Sequence, residues 1–592
     1  MPGGRLSTLA RAMRERARFD APAGPGGGTP SPGGGSPSPG EGSPSPGGAP
    51  GRAGRGVVSR RGALRLGGAF GASAALAACT ARSSPAAGAR STGTPTAAHG
   101  ARVVVIGAGL AGTTAAYRLA GSGVQVQLFE ARGRIGGRCW TARGFADGQT
   151  AEHGGEFIDT RHVHLRGLAR ELGLQLDDLW QGDVPGAISP SWINGGYFDY
   201  YDKVNGQLDR ITTAVKAEAR RIGVTGAQGT SSDVAYSYGT ATPGARQMDE
   251  LNMREWLDQH VPGVPGDVKT FLDQTMSGWY GLDMAGLSAL NWMDYLVIPY
   301  PGGDERWHVK HGNDQVPVRV AKALPAGTVQ LESPLQALIR RADGSYELRF
   351  GGSAPSSPVI ADHVILTIPW TTLREVDLEG AGFGSYRMTA IRELGMGTDV
   401  KLIVQYNRRP ATFKVHGRPW SGTVNYTNPN YQTWDSAPTE PGTAGLITVY
   451  AGGSGSKPFA SPGDHAPAPA DLTATVLSQI DQVVPGTKAQ FNGKAWLDYW
   501  TGDPWTRGSY AAYIPGQVTK YWGYAGIPEG RVHFAGEHTS TYSQGFLNGG
   551  VESGQRAAIE VLLALGLPVP SAIASLPYSR IPGEHIGAGD RW

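Results

Sequence analysis

Cysteine is nearly absent: the chain of 592 residues has two, Cys79 and Cys139. That excludes a disulfide framework, and no set of thiolates can build a metal centre, so no metal site is expected. Lysine is missing from the first hundred residues, which carry 12 arginines and 3 acidic groups, a net of +9. Within them "PGGGTPSPGGGSPSPGEGSPSPGGAPG" offers almost nothing apolar to bury, so residues 1–58 are expected to be disordered. Removing those hundred residues from totals of 53 basic and 50 acidic leaves 41 and 47, a net of −6. This mildly acidic body argues against nucleic acid as a partner and suits a cationic ligand, a property shared by many soluble enzymes.

Long apolar runs are also scarce near the start. "SRRGALRLGGAFGASAALAAC", residues 59–79, holds an apolar run of about a dozen residues, too short to span a bilayer as a helix. It reads as a signal segment whose Arg60 and Arg61 suggest the twin-arginine export route, although Ala63 stands where an aromatic is usual. Leu76-Ala77-Ala78-Cys79 resembles the box at which bacterial lipoproteins are cleaved and lipidated. Two readings follow: a cell-envelope lipoprotein anchored through Cys79, or a secreted protein with an ordinary cleavage site. Residues 80–100, rich in Ser, Pro, Gly and Thr, read as a tether.

What the chain does have begins at Ala101. Val103 to Ile106 is a β-branched run suited to a strand buried on both faces, and Gly107-Ala108-Gly109-Leu110-Ala111-Gly112 follows at once, then a helical pattern. Gly107 permits the tight turn, Gly109 admits a pyrophosphate to the backbone, and Gly112 lets helix and strand pack closely. A second strand ends at Glu130, 18 residues past Gly112, placed to bond a ribose. The turn "GRIGGR", with Gly137 and Arg138, adds donors for the same pyrophosphate and argues for FAD rather than NAD. Some 400 residues on, a short strand from Val532, then Gly536, Glu537 and a helix from about Leu547, would aim amides at the cofactor and favour negative charge on a reduced flavin ring by ~0.5–1 kcal/mol.

"TDVKLIVQY", Thr398 to Tyr406, alternates as a half-buried strand does, with Lys401, Ile403 and Gln405 on one face. Lys401 then either meets solvent or faces a site that needs an amine.

In order along the chain, the glycine motif with Glu130, "GRIGGR", "AEHGGEFI", "GSY", "HFAGEHTS" and "GFLNGGVESGQRAA" resemble the flavin amine oxidases, which include monoamine, polyamine and L-amino-acid oxidases. The resemblance spans roughly Ala101 to Leu567 and implies an α/β fold. A Rossmann-like FAD-binding domain would be assembled from 101–185, 301–375 and 497–568. An α+β substrate domain would be inserted as 186–300 and 376–496, with a tail at 569–592. It implies cofactor contacts at Gly107, Ala108, Gly109, Ala111 and Gly112, at Glu130, Ala131 and Arg132, and at Gly137 and Arg138. Further contacts fall at Gly154, Gly155 and Glu156, at Leu335 beside the adenine, and at Gly536, Glu537 and Leu547.

The resemblance also places Lys401 over flavin N5 through a water, Tyr510 and Phe546 as an aromatic cage around the amine, and Trp500 beside the flavin. For all three rings the alternative is core packing. Ser509 stands where mammalian monoamine oxidases carry the cysteine that bonds the flavin, so FAD is expected to be non-covalent. Glu152 matches either a carboxylate of the substrate tunnel or a hydrogen-bonding residue of the flavin domain. Phe157 stands where L-amino-acid oxidases carry an arginine for the substrate carboxylate, which favours amines. The expected activity is oxidative deamination of a primary or secondary amine, with hydride transfer to flavin N5 and reoxidation by O2 to H2O2. The alternatives are an L-amino-acid oxidase or amine dehydrogenase on the same fold, or a flavin-bearing redox or binding protein without turnover.

Overall fold

A computed structural model describes residues 100–224, 235–297, 303–461 and 464–579. Arg60, Arg61 and Cys79, and with them the expectations for the leader, lie outside the described residues.

Five parallel strands form one sheet in the order Val532–Phe534, His363–Leu366, Arg102–Ile106, Gln125–Phe129, Val329–Gln330. The two-residue repeat divides the central strand between two layers. Val103 and Val105 pack with Ala111, Ala115, Ala557 and Val561 of the helices Leu110–Gly121 and Leu547–Ala564. Val104 and Ile106 join Leu338, Leu348 and Ala361 of a three-stranded antiparallel sheet, Leu335–Arg340, Tyr346–Phe350 and Val359–Ala361, on the other side. Full burial of each such aliphatic side chain stabilises the fold by about 1.5–3 kcal/mol.

Two close approaches fix the helices. A Cβ on Gly112 would stand 1.8 Å from the Gly107 carbonyl oxygen, and one on Gly554 would stand 2.3 Å from that of Ala111. Only glycine lets the first helix sit on its strand and the last helix cross the first at that depth.

A second, mixed sheet of eight strands runs His465–Pro467, Phe491–Tyr499, Val400–Tyr406, Gly445–Ala451, Tyr431–Asp435, Asn425–Tyr426, Ser191–Ile193, Gly196–Tyr197. Strand Phe491–Tyr499 is continuous across the domain boundary expected at 496/497, which therefore falls inside an element and not between two. Helices Tyr200–Ile222, Met253–His260 and Gly266–Tyr280 contribute their apolar stripes to the core that also holds Val104 and Phe534.

The reading of Val400–Tyr406 as half-buried is corrected: all seven residues are buried. Val400, Leu402, Val404 and Tyr406 pack on Val476, Leu477 and Ile480 of helix Ala470–Val483. The other face is covered by the distant segment 142–156. Ile403 meets Ala142 and Ala151, and Gln405 donates to the Ala146 carbonyl and accepts from its N–H. Lys401 is 4% exposed, so the solvent-facing alternative is excluded.

Candidate active site

The strand ends and helix N-termini of the parallel sheet share one cavity with the covered face of the eight-stranded sheet. Its empty volume is about 1920 Å³, open mouth included.

The wall carries the dinucleotide motifs: Gly107, Gly109, Ala111, Glu130, Ala131 and Arg132, then Gly137, Arg138 and Leu335. Helix Leu110–Gly121 starts at Gly109 with no side-chain cap and no acid in its first turn, and helix Leu547–Ala564 starts at Phe546 in the same way. Gly154, Gly155, Gly536, Glu537 and Leu547 line the wall as well. Two helix N-termini without side-chain caps thus border the cavity, where their amides suit a bound anion. Glu130 accepts from the Ala108 N–H at 2.7 Å and the Arg132 N–H at 2.9 Å, which fixes both carboxylate oxygens while leaving lone pairs for a ribose. This donor and acceptor set fits FAD.

Several expected contacts sit differently. Ala108 and Gly112 lie behind the wall, one bonded to Glu130 and the other packed on Gly107, so they shape the turn without lining the cavity. The Arg138 guanidinium lines the cavity but donates to the Ser509 carbonyl at 2.6 Å and to Glu537 at 2.9 Å, and Arg132 is held by Asp503 at 2.7 Å. Glu152 does not serve a substrate tunnel: it is fully buried, accepts from Thr141, His308 and the Asn313 N–H, and is absent from the cavity wall. Its flavin-domain alternative is the one consistent with that position. Burial raises its carboxyl, while His308 and Asn313 act to lower it.

Lys401, Tyr510, Phe546 and Trp500 line the same cavity. The Lys401 ammonium donates to Glu156 Oε2 at 2.8 Å and to the Glu152 carbonyl at 3.0 Å. Glu156 Oε1 accepts from the Trp434 indole at 2.9 Å. Glu156, expected only as a cofactor contact, is therefore the partner that orients Lys401. Tyr510 places its hydroxyl 3.2 Å from both the Tyr450 hydroxyl and the Trp279 carbonyl, and Trp500 donates to the His153 carbonyl at 2.9 Å. Phe546 rests edge-on against His162.

Sequence reasoning missed Trp434, Tyr450 and Asp399, all on the same wall. Tyr450 is the cross-strand partner of Lys401, so register with the lysine strand was the signal that could have found it. Asp399, two residues before Lys401, is 1% exposed and accepts from Ser509 Oγ at 2.6 Å. Burial pushes its carboxyl up to about 7, against the opposing effect of the Ser509 hydrogen bond and of the nearby Tyr510 and Tyr450 hydroxyls. Burial likewise drives the Tyr450 and Tyr510 phenols well up, keeping both neutral.

Among known proteins, the family model for flavin containing amine oxidoreductases matches residues 110–562. Pig (Sus scrofa) flavin-containing amine oxidase B is 25% identical over 513 residues, covering 82% of this chain and 91% of its own. Cyclohexylamine oxidase from Brevibacterium oxydans IH-35A superposes with a TM-score of 0.66 at 23% identity, over 79% of this chain and 99% of its own. Wild-type putrescine oxidase bound to putrescine superposes with a TM-score of 0.64 at 21% identity, over 78% and 99%. These two solved structures show the fold, an FAD-binding α/β domain with an inserted substrate domain. The family match covers most of the chain, and on that ground the chain belongs to the flavin-containing amine oxidoreductases.

Proposed function

We propose that the protein oxidises a primary or secondary amine, with non-covalent FAD as the first electron acceptor and O2 as the second. The observation that carries this reading is the state of the cavity's arginines. Arg132, Arg138 and Arg507 line it, and each is already held by a carboxylate: Asp503, Glu537 and Glu375. Each therefore already has a counter-charge, which disfavours a second carboxylate beside it and favours amines over amino acids.

Bound FAD supplies the acceptor for the hydride equivalent lost from the carbon that bears the amine, and O2 removes the electrons as H2O2. The chain's residues do the rest. The uncapped helix N-termini and Glu130 hold the cofactor. Tyr510, Tyr450, Trp434 and Phe546 form an aromatic wall that excludes water and orients the amine, each ring adding about 0.5–2 kcal/mol for a cationic or polarised nitrogen. Glu156 and the Glu152 carbonyl fix the Lys401 ammonium on the cavity wall. Ser509 has no thiol with which to bond a flavin, which supports a non-covalent cofactor. The Arg60-Arg61 pair and the box ending in Cys79 support export by the twin-arginine route and a lipid anchor.

Anaerobic mixing of the flavin-loaded protein with a panel of primary amines, secondary amines and amino acids tests the reading. Bleaching of the oxidised flavin band by amines, with peroxide on aeration, is expected. Silence with every amine would overturn it, and faster bleaching by amino acids would replace it with the L-amino-acid oxidase alternative. Bleaching without peroxide would indicate a dehydrogenase.

A further inference from the structure

Asp399 has an environment that its neighbours do not account for. Its Oδ2 accepts from Ser509 Oγ, whereas its Oδ1 is buried with no hydrogen-bond partner. An unpaired buried carboxylate oxygen is costly to keep unless something else uses it. The groups that face this carboxyl come from three sides. On the strand that begins one residue later, Lys401 is committed to Glu156 and the Glu152 carbonyl. From strand Gly445–Ala451 comes the Tyr450 hydroxyl, and from the loop after Ser509 the Tyr510 hydroxyl, the two 3.2 Å apart. Behind Ser509, Arg138 is paired with Glu537. Among the described residues no cation is paired with Asp399.

An amine reaches this cavity from water as an ammonium, since an alkylamine resembling the lysine side chain titrates near ~10.4. An ammonium nitrogen has no lone pair to support the positive charge that grows on its carbon as the C–H bond is lost. The proton must leave before oxidation.

We propose that Asp399 takes that proton: an N–H bond of the bound alkylammonium breaks, an O–H bond forms on Oδ1, and the neutral amine remains beside Tyr450 and Tyr510 with a neutral carboxylic acid. The acid returns its proton to water when product leaves. Transfer replaces a buried ion pair by two neutral groups, which a poorly solvated site favours. The same burial that lifts the carboxyl to about 7 makes it a competent acceptor near neutral pH. This inference rests on the amine-oxidase reading above.

The test is flavin reduction by one amine under anaerobic rapid mixing, from about pH 5.5 to 9.5, for the full-length flavin-loaded wild type, Asp399→Asn and Ser509→Ala. In the wild type the rate is expected to climb at least tenfold through an inflection near the Asp399 value. Asp399→Asn should abolish that inflection and lower kcat/KM at neutral pH at least tenfold, with recovery as pH approaches the free amine's own value. Ser509→Ala should keep the inflection and move it to higher pH, because the lost hydrogen bond favoured the carboxylate. A wild-type profile in Asp399→Asn, or an unmoved inflection in Ser509→Ala, would overturn the proposal while leaving the amine-oxidase reading intact. Should Asp399→Asn fail to retain flavin, the Ser509→Ala profile decides. If no amine reduces the wild type, the functional reading falls and this inference falls with it.

Discussion

The Lys401 ammonium lies 2.8 Å from the Glu156 carboxylate, and each side chain is 5% exposed. The pair joins a strand of the inserted sheet to a segment of the flavin domain, so its two halves come from regions separated by |i−j| = 245. Removing one partner of such a pair costs about 3–5 kcal/mol, because the other charge is left buried and alone. Lys401→Met should therefore lower the melting temperature and also slow flavin reduction or reoxidation at least tenfold, about 1.4 kcal/mol of barrier. Lys401→Met with Glu156→Gln should regain most of the stability and none of the rate. Wild-type rates in the single variant would reduce Lys401 to a structural role.

The linkage of the flavin can be read directly. With Ser509 in place of a thiol, acid precipitation is expected to leave FAD in the supernatant and a colourless pellet. Flavin retained in the pellet would show a covalent bond made elsewhere.

Gly554→Ala forces a methyl to within 2.3 Å of the Ala111 carbonyl oxygen. Overpacking of this kind typically costs about 1–3 kcal/mol, and it should pry the two helix N-termini apart and weaken FAD retention. Gly121→Ala, where an added Cβ meets nothing within 4 Å, serves as the control and should leave FAD binding unchanged. Equal FAD affinity in both variants would show that the crossing does not set the cofactor site.

His465 bridges Asp498 and Asp503, each at 2.8 Å. Burial works to lower its imidazole, but the bonds to the two carboxylates win and leave it raised. A histidine raised on folding contributes stability that is fully present below its unfolded value, about 6.5, and that is lost as pH rises through the higher folded value. Urea unfolding on the acidic and alkaline sides of that window should show a loss in the wild type that is smaller in His465→Gln. Identical pH dependence in the two proteins would mean that the imidazole titrates alike folded and unfolded.

Cys79→Ser should move the protein from the membrane fraction to the soluble one, since a lipid chain contributes about 0.8 kcal/mol per buried methylene. An unchanged distribution would remove the lipid-anchor proposal.

The dinucleotide end was legible because its determinants are local: strand, glycines, helix and Glu130 fall within thirty residues, so each constrains the next. The burial of Lys401 was not. Alternation in "TDVKLIVQY" reports that two faces differ, and it carries no record of the segment 142–156 that covers the polar one. For the same reason Glu152 was left between two roles, which only its contacts with His308 and Asn313 separate. Trp434 and Asp399 escaped notice because their meaning depends on facing a cavity that local patterns do not describe.

The sheet order places Val532–Phe534 beside His363–Leu366, so the edge of the flavin-binding sheet is completed by the last strand among the described residues. Pairings of such sequence separation form late and slowly. A nascent or clipped chain that ends before Leu547 carries the whole glycine fingerprint, yet lacks the second helix whose amides complete the site. Flavin retention is thus expected to report synthesis past the last long helix: chains that stop before Leu547 should emerge pale, and colour should mark those that extend beyond Ala564.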